Sequence, residues 1–370
     1  MVNHAALHRA CALAILVATP AFAIDNVVLA GSAALDYRYV SGDTPPTNPS
    51  LLGITSLGLE VAAKAVIDVG HGVSFTVKAC GGCHGIEIDQ AYGEVMLKEY
   101  FNVRLGRINP AFGEFNQRHD PANFTTPSKP LPYAMGDMLF YTPRGFNLGI
   151  VPSPYVENGM EIYGTLALTG SVQLDYAVWG AKGLAGANDI DWVSTRRYLD
   201  NNRLPAGGGR LVLSGADWAV GASFSAGTYD DGDRLMYMMG GAELYFRAGI
   251  VTFRGELLAR RTDLDRNAGG YPFQLIDPWF LKVGWYGQVD LEVHPQFTIV
   301  LRSDGLHRFG MPLPGSEIVS TSAGMQRQTL ALLYRLTGNF AIKGDYELWT
   351  FAGAALQTRH MARLAVVFGY

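Results

Sequence analysis

Three things are scarce in this chain. Cysteine occurs only three times in 370 residues. Charge imbalance is slight: 29 Lys and Arg face 33 Asp and Glu, a formal net charge of −4, which gives no footprint for nucleic acid. After the first residues there is no uninterrupted apolar run of the roughly eighteen residues that a membrane helix needs. Helical periodicity is almost absent as well. Enzyme signatures are missing: no G-x-S-x-G, H-E-x-x-H or P-loop spelling occurs, so a hydrolase ranks only third among the readings.

The N-terminus reads as a secretory leader. Arg9, with His4 and His8, precedes the apolar run "ACALAILVATPAFA", which ends in Ala21-Phe22-Ala23, an A-x-A cleavage pattern. Residues 1–23 are therefore expected to be cleaved, taking Cys11 with them, and 24–370 to form the mature chain. Losing Arg9 moves the formal charge from −4 to −5.

What the chain does have is strict alternation, with 44 glycines and many aromatics. In "LKVGWYGQVDLEV" (281–293), Leu281, Val283, Trp285, Val289, Leu291 and Val293 share one face, and Lys282, Tyr286, Gln288, Asp290 and Glu292 the other. Period two makes this a strand with one apolar and one polar face. "VTFRGELLARR", "FAIKGDYELWT" and the terminal "LAVVFGY" repeat it. Many segments reach ten or more residues, longer than the five or six of most globular strands. Tilted segments of roughly 9–11 alternating residues suit an outer-membrane barrel, whose closure satisfies every edge N–H and C=O group.

The count is even. Strands are expected near 27–42, 56–70, 71–80, 86–99, 101–111, 157–168, 171–183, 206–215, 216–230, 234–248, 250–263, 279–294, 297–308, 322–337, 340–352 and 357–370, about sixteen in all. Connections after even strands are short, whereas every long one follows an odd strand. Such segregation marks a transmembrane antiparallel β-barrel, with short turns inside and long loops outside.

The longest connection, 110–157, carries eight of the eighteen prolines, too many for a casual link. Just before and into it, "AYGEVMLKEYFNVRLGRINPAFGEF" (91–115) resembles the strand–turn–strand "AY-x-EY…L-x-x-R-x-GR…PFG" of the phosphate-selective porin O/P group. The resemblance implies a Gram-negative outer-membrane porin passing small hydrophilic solutes, anions among them, by passive diffusion. By the strand count 110–157 is the third external loop; likeness to porins in general implies that it folds into the lumen as a constriction, and that the assembly is a homotrimer surrounded by lipid.

"KACGGCHG" (78–85) departs from those porins. C-x-x-C-H is the spelling of a c-type haem attachment site. On that reading Cys80 and Cys83 form thioethers, His84 is the proximal ligand, and Met135, Met138 or His119 is the distal one. The protein would then be a porin–cytochrome that moves electrons at the barrel mouth with a periplasmic cytochrome as partner. The other reading is a Cys80–Cys83 disulfide pinning a tight loop in an oxidising compartment. Three metal ligands without a fourth make zinc weaker. Haem and disulfide stay open at this point.

On the polar faces, the expected channel lining comprises Arg104, Arg254, Glu256, Arg260, Lys282, Arg302 and Lys343 on strands. Arg118 and Asp120 in "FNQRHDP" join it from the long loop. Glu94, Asp175, Glu243, Asp290, Glu292, Asp304, Asp345 and Glu347, with Arg247, Arg327, Arg335 and Arg363, fill out a wall of mixed sign. Rings of one sign would set ion selectivity.

Overall fold

The computed structural model describes residues 26–41, 56–82, 85–134, 149–187, 189–265, 277–310, 322–352 and 358–369. The expected leader, Cys83, His84, Met135 and Met138 lie outside the described residues.

Alternation becomes strand throughout. The elements are β1 (Val27–Ser41), β2 (Ser56–Gly70), β3 (Val73–Gly82), β4 (Gly85–Lys98), β5 (Phe101–Ile108), β6 (Glu157–Thr169), β7 (Val172–Ala181) and β8 (Ala206–Ser214). They continue as β9 (Trp218–Thr228), β10 (Met236–Ala248), β11 (Val251–Asp263), β12 (Trp279–His294), β13 (Phe297–Phe309), β14 (Ser322–Arg335), β15 (Phe340–Ala352) and β16 (Arg359–Gly369). Each pairs antiparallel with its sequence neighbours, and β1 pairs with β16 from Ser32↔Gly369 to Ser41↔His360. The sheet is thus a closed barrel of sixteen strands, as the count from alternation and turns anticipates.

Connections segregate by end. Residues 71–72, 99–100, 170–171, 249–250 and 295–296 close tight turns at one rim, and all the long connections leave from the other. Along β12 the two faces separate cleanly: Lys282, Tyr286, Gln288 and Asp290 are buried, while Trp285 and Val293 are exposed. Leu29, Leu57, Leu59, Leu105, Leu211, Leu301 and Leu364 likewise stand exposed on the outer surface. Tyr100, Phe101, Phe246, Phe297 and Phe368 cluster outward near the tight-turn rim. This inverts a soluble sandwich, which turns its apolar face inward.

One strand interrupts its alternation. Lys78 pairs with Gln90 but Ala79 with Ile88, so Asp89 is the extra residue of a β-bulge. Before the bulge the odd residues Glu87 and Asp89 face inward; after it the even residues Tyr92 and Glu94 do. A single inserted residue is what flips the parity of a strand.

The apolar core lies within the polar wall. Phe112, Phe115, Phe124, Leu131, Tyr133, Ile150 and Tyr155 from the connection after β5 pack with Trp179, Tyr229, Tyr237, Leu258, Tyr286, Leu306 and Trp349 from strands or their ends. Three short 3₁₀ turns, Phe115–Arg118, Pro121–Asn123 and Leu131–Tyr133, give that connection its compact course. At Gly113 the backbone takes φ +69°, and a Cβ there would run into the Tyr133 hydroxyl and the Glu256 carboxylate, so glycine is required.

Candidate functional site

The connection after β5 is tied to the polar face of strand after strand. The Ala111 N–H donates to Glu161 of β6 at 2.8 Å, and the Gly113 N–H to Ser223 of β9 at 3.0 Å. Glu256 of β11 accepts from the Glu114 and Phe115 N–H groups at 3.1 and 2.8 Å and from the Tyr133 and Tyr286 hydroxyls at 2.6 and 2.7 Å. Asp304 of β13 accepts the Leu131 N–H at 3.1 Å. Arg302 donates to Thr126 Oγ1 and the Ser128 carbonyl at 2.7 and 2.9 Å, and Arg327 to the Lys129 carbonyl at 2.7 Å. Buried charges of this kind persist only when paired and hydrogen-bonded, and here the loop backbone supplies many of the partners.

The other edge of the same segment reaches β2 and β3. Lys78 Nζ lies 2.5 Å from Asp120 Oδ1, 3.1 Å from His119 Nε2 and 3.7 Å from Asp89. Lys129 pairs with Glu60 at 3.3 Å. Burial and the neighbouring Lys78 ammonium push the His119 imidazole down to about 4. Opposing burial, His119 and then Lys78 draw the Asp120 carboxyl below its usual range.

Two cavities flank the segment between it and β16, β1, β2 and β3. The larger, about 720 Å³, opens toward the tight-turn rim; its charged lining is Lys64, Lys78, Arg254, Arg335 and Lys343 against Asp120. The smaller, about 140 Å³, lies toward the long-loop rim and is lined by Arg38, Lys129, Arg196, Lys343 and Arg363 against Asp36, Glu60 and Glu87. Phe124, Lys343 and Val367 border both cavities. Lys343 is fixed there by donating to the Pro121 carbonyl at 2.6 Å and to the Phe124 carbonyl. Each lining has more cations than carboxylates.

The residues expected along a channel therefore divide. Asp120, Arg254 and Lys343 border a cavity. Glu256, Arg260 and Arg302 bond to the loop beneath it, as does Arg118 within the loop, paired with Glu114. Lys282 pairs with Asp189 at 3.3 Å. Arg104 pairs with Glu161 at 3.0 Å and lies over the Tyr163 ring. Periodicity did not single out Asp36, Arg38, Glu60, Lys64, Lys78, Glu87, Lys129 or Arg196. Arg38 and Lys64 sit at alternate positions with Ser32, Ala34, Asp36 and with Ala62, Glu60, so the period was present but diluted by small residues.

One placement is corrected. The third strand is expected to end at Cys80, with a tight loop following; Gly81 and Gly82 instead continue β3, and Cys80 lies opposite Ala62 and Glu87. Alternation explains it, since Cys80 follows Thr76 and Lys78 on the inward face. Its thiol donates to Asp89 at 2.7 Å. His119, a candidate distal ligand, has Nδ1 2.7 Å from the Asn116 carbonyl and Nε2 on Lys78. No group of three or more His, Cys, Asp or Glu placed to hold a metal ion occurs among the described residues.

No protein-family model matches the chain, and no curated protein sequence does. Solved structures do. OmpF of Salmonella typhi, in complex with daunomycin, superposes with a TM-score of 0.62 at 10% identity, over 94% of this chain and 99% of that one. The fold is that of the sixteen-stranded porins. An anion-selective porin from Comamonas acidovorans gives 0.60 at 12% identity over 93% and 99%. Outer-membrane expressed OmpT of Vibrio cholerae gives 0.57 at 8% identity over 93% and 97%. At these identities the likeness is one of architecture.

Proposed function

We propose that this protein is a bacterial outer-membrane channel for passive diffusion of small hydrophilic solutes, that the described residues 110–134 and 149–157 fold into the lumen and narrow it, and that it favours anions. The porin fold supports the first part, together with the exposed apolar outer face and its rim aromatics, which suit lipid and interface respectively. The bonds from Ala111 to Lys129 onto the polar face support the second.

One observation carries the third: around Lys343, which borders both cavities, the larger lining sets five cations against one carboxylate. A charge excess of one sign in a narrow, low-dielectric passage raises the local concentration of the opposite ion. The lipid-facing exterior leaves room for a homotrimer, the form named for one Vibrio cholerae OmpT structure.

The porin–cytochrome reading has less support. A thioether at Cys80 would have no proton to donate to Asp89, and both His119 nitrogens are already occupied. Liposome swelling tests the proposal: with the reconstituted protein, a sugar acid should enter faster than its neutral parent sugar, and an amino sugar more slowly. Amino sugar entering fastest would overturn the anion preference; no swelling with any of them would overturn the channel.

A further inference from the structure

Arg260, Lys282 and Arg308 stand side by side on three adjacent strands. Arg260 of β11 is directly opposite Lys282 of β12, which is directly opposite Arg308 of β13. All three point to the inner face and are 2% exposed or less. Like charges directly opposite one another in a sheet are destabilising, and burial adds to that cost. Among the described residues, Asp189 is the one carboxylate within 4.0 Å of Arg260 or Lys282, at 4.0 and 3.3 Å.

The Arg260 guanidinium is only partly satisfied. Its Nη1 donates to the Ile150 carbonyl at 2.7 Å, but Nε and Nη2 are buried with no hydrogen-bond partner among the described residues. Buried N–H groups on a charged side chain seldom go unused. Asp189 does not fill them; it comes from the connection after β7, whose Gly186↔Ile190 bridge and Asp191 N–H bond to the Ala185 carbonyl form a small hairpin. Ile190 is buried in the apolar cluster and anchors the hairpin, while the Asp189 side chain remains 30% exposed.

We propose that Arg260, Lys282 and Arg308 form a binding seat for small carboxylates, with Asp189 as a tethered occupant that an incoming carboxylate displaces. The chemical class follows from what is there: the seat already receives a carboxylate, and the planar guanidinium of Arg260 matches that group with two parallel N–H bonds. Tethering holds Asp189 at a millimolar-range effective concentration, so a solute must outcompete it. The inference needs only the inward position of the row, not the ion selectivity proposed above.

The test is equilibrium dialysis of labelled malonate against the folded, full-length protein in detergent, with folding read from heat-modifiable gel mobility. Asp189→Asn removes the competitor and should tighten binding roughly tenfold; Lys282→Gln and Arg260→Gln should weaken it at least as much. Asp189→Asn binding no tighter than wild type, or Lys282→Gln binding undiminished, overturns the proposal. The two substitutions act on opposite partners, so loss of fold in one leaves the other to decide. Inorganic phosphate displacing malonate with equal potency would overturn the carboxylate assignment. No current is measured, so this result and the selectivity reading stand or fall separately.

Discussion

The Tyr133 hydroxyl donates a 2.6 Å hydrogen bond to the Glu256 carboxylate, and both side chains are buried. That carboxylate also receives two loop N–H groups and the Tyr286 hydroxyl. Four donors on one acceptor group make Glu256 the main fastening between the long connection and the wall. Glu256→Ala strands all four and should cost roughly 2–4 kcal/mol. Urea unfolding should show a lower midpoint, and single-channel recordings a larger, noisier conductance. Wild-type values for both would mean that the fastening lies elsewhere.

His119 makes stability depend on acid. Burial, then the Lys78 ammonium, lower its pKa from 6.5 to about 4, with Asp120 opposing and Lys129 reinforcing the shift. Above pH 6.5 native and unfolded forms are both neutral. As pH falls toward 4 the unfolded chain takes a proton that the native one refuses, so stability declines across that window by roughly 3 kcal/mol and then levels off. The depressed Asp120 adds its own loss only at lower pH, as its carboxyl protonates. Urea midpoints of His119→Gln should lack the decline between pH 6.5 and 4; an unchanged slope would place its origin in another group.

Cys80 separates the haem and thiol accounts. Because its thiol donates to Asp89, Cys80→Ser keeps a donor and should change stability by no more than about 1 kcal/mol. The denatured protein, purified from its native membrane, should give an unstained band in a haem-peroxidase stain. A stained band that disappears in Cys80→Ser would establish covalent haem and put the porin–cytochrome reading ahead of the diffusion channel.

The barrel was legible because its signal is local. β12 announces itself by alternation alone, and the ends of most strands fall within two residues of where pattern and turns put them. β5 stops earlier, at Ile108, because Asn109 turns inward to bond to the Asn116 carbonyl. The site was less legible because it depends on where the long connection lies. Arg254 and Glu256 read alike in the sequence, two alternate residues on one polar face, yet Glu256 lies beneath the loop and Arg254 borders a cavity. Period two separates inside from outside, but not inside-wet from inside-covered. The bulge had a trace, since the inward charges step from Glu87 and Asp89 to Glu94 across a change of parity. Lys78 was hidden by the cysteines beside it.

The most direct measurement is the zero-current potential of the reconstituted wild-type protein in a planar bilayer across a tenfold KCl gradient, repeated with Lys343→Glu. The account predicts a sign showing preference for chloride, with Lys343→Glu moving the potential toward potassium because the substituted residue borders both cavities. A wild-type potential favouring potassium, or a Lys343→Glu channel indistinguishable from wild type, would contradict it.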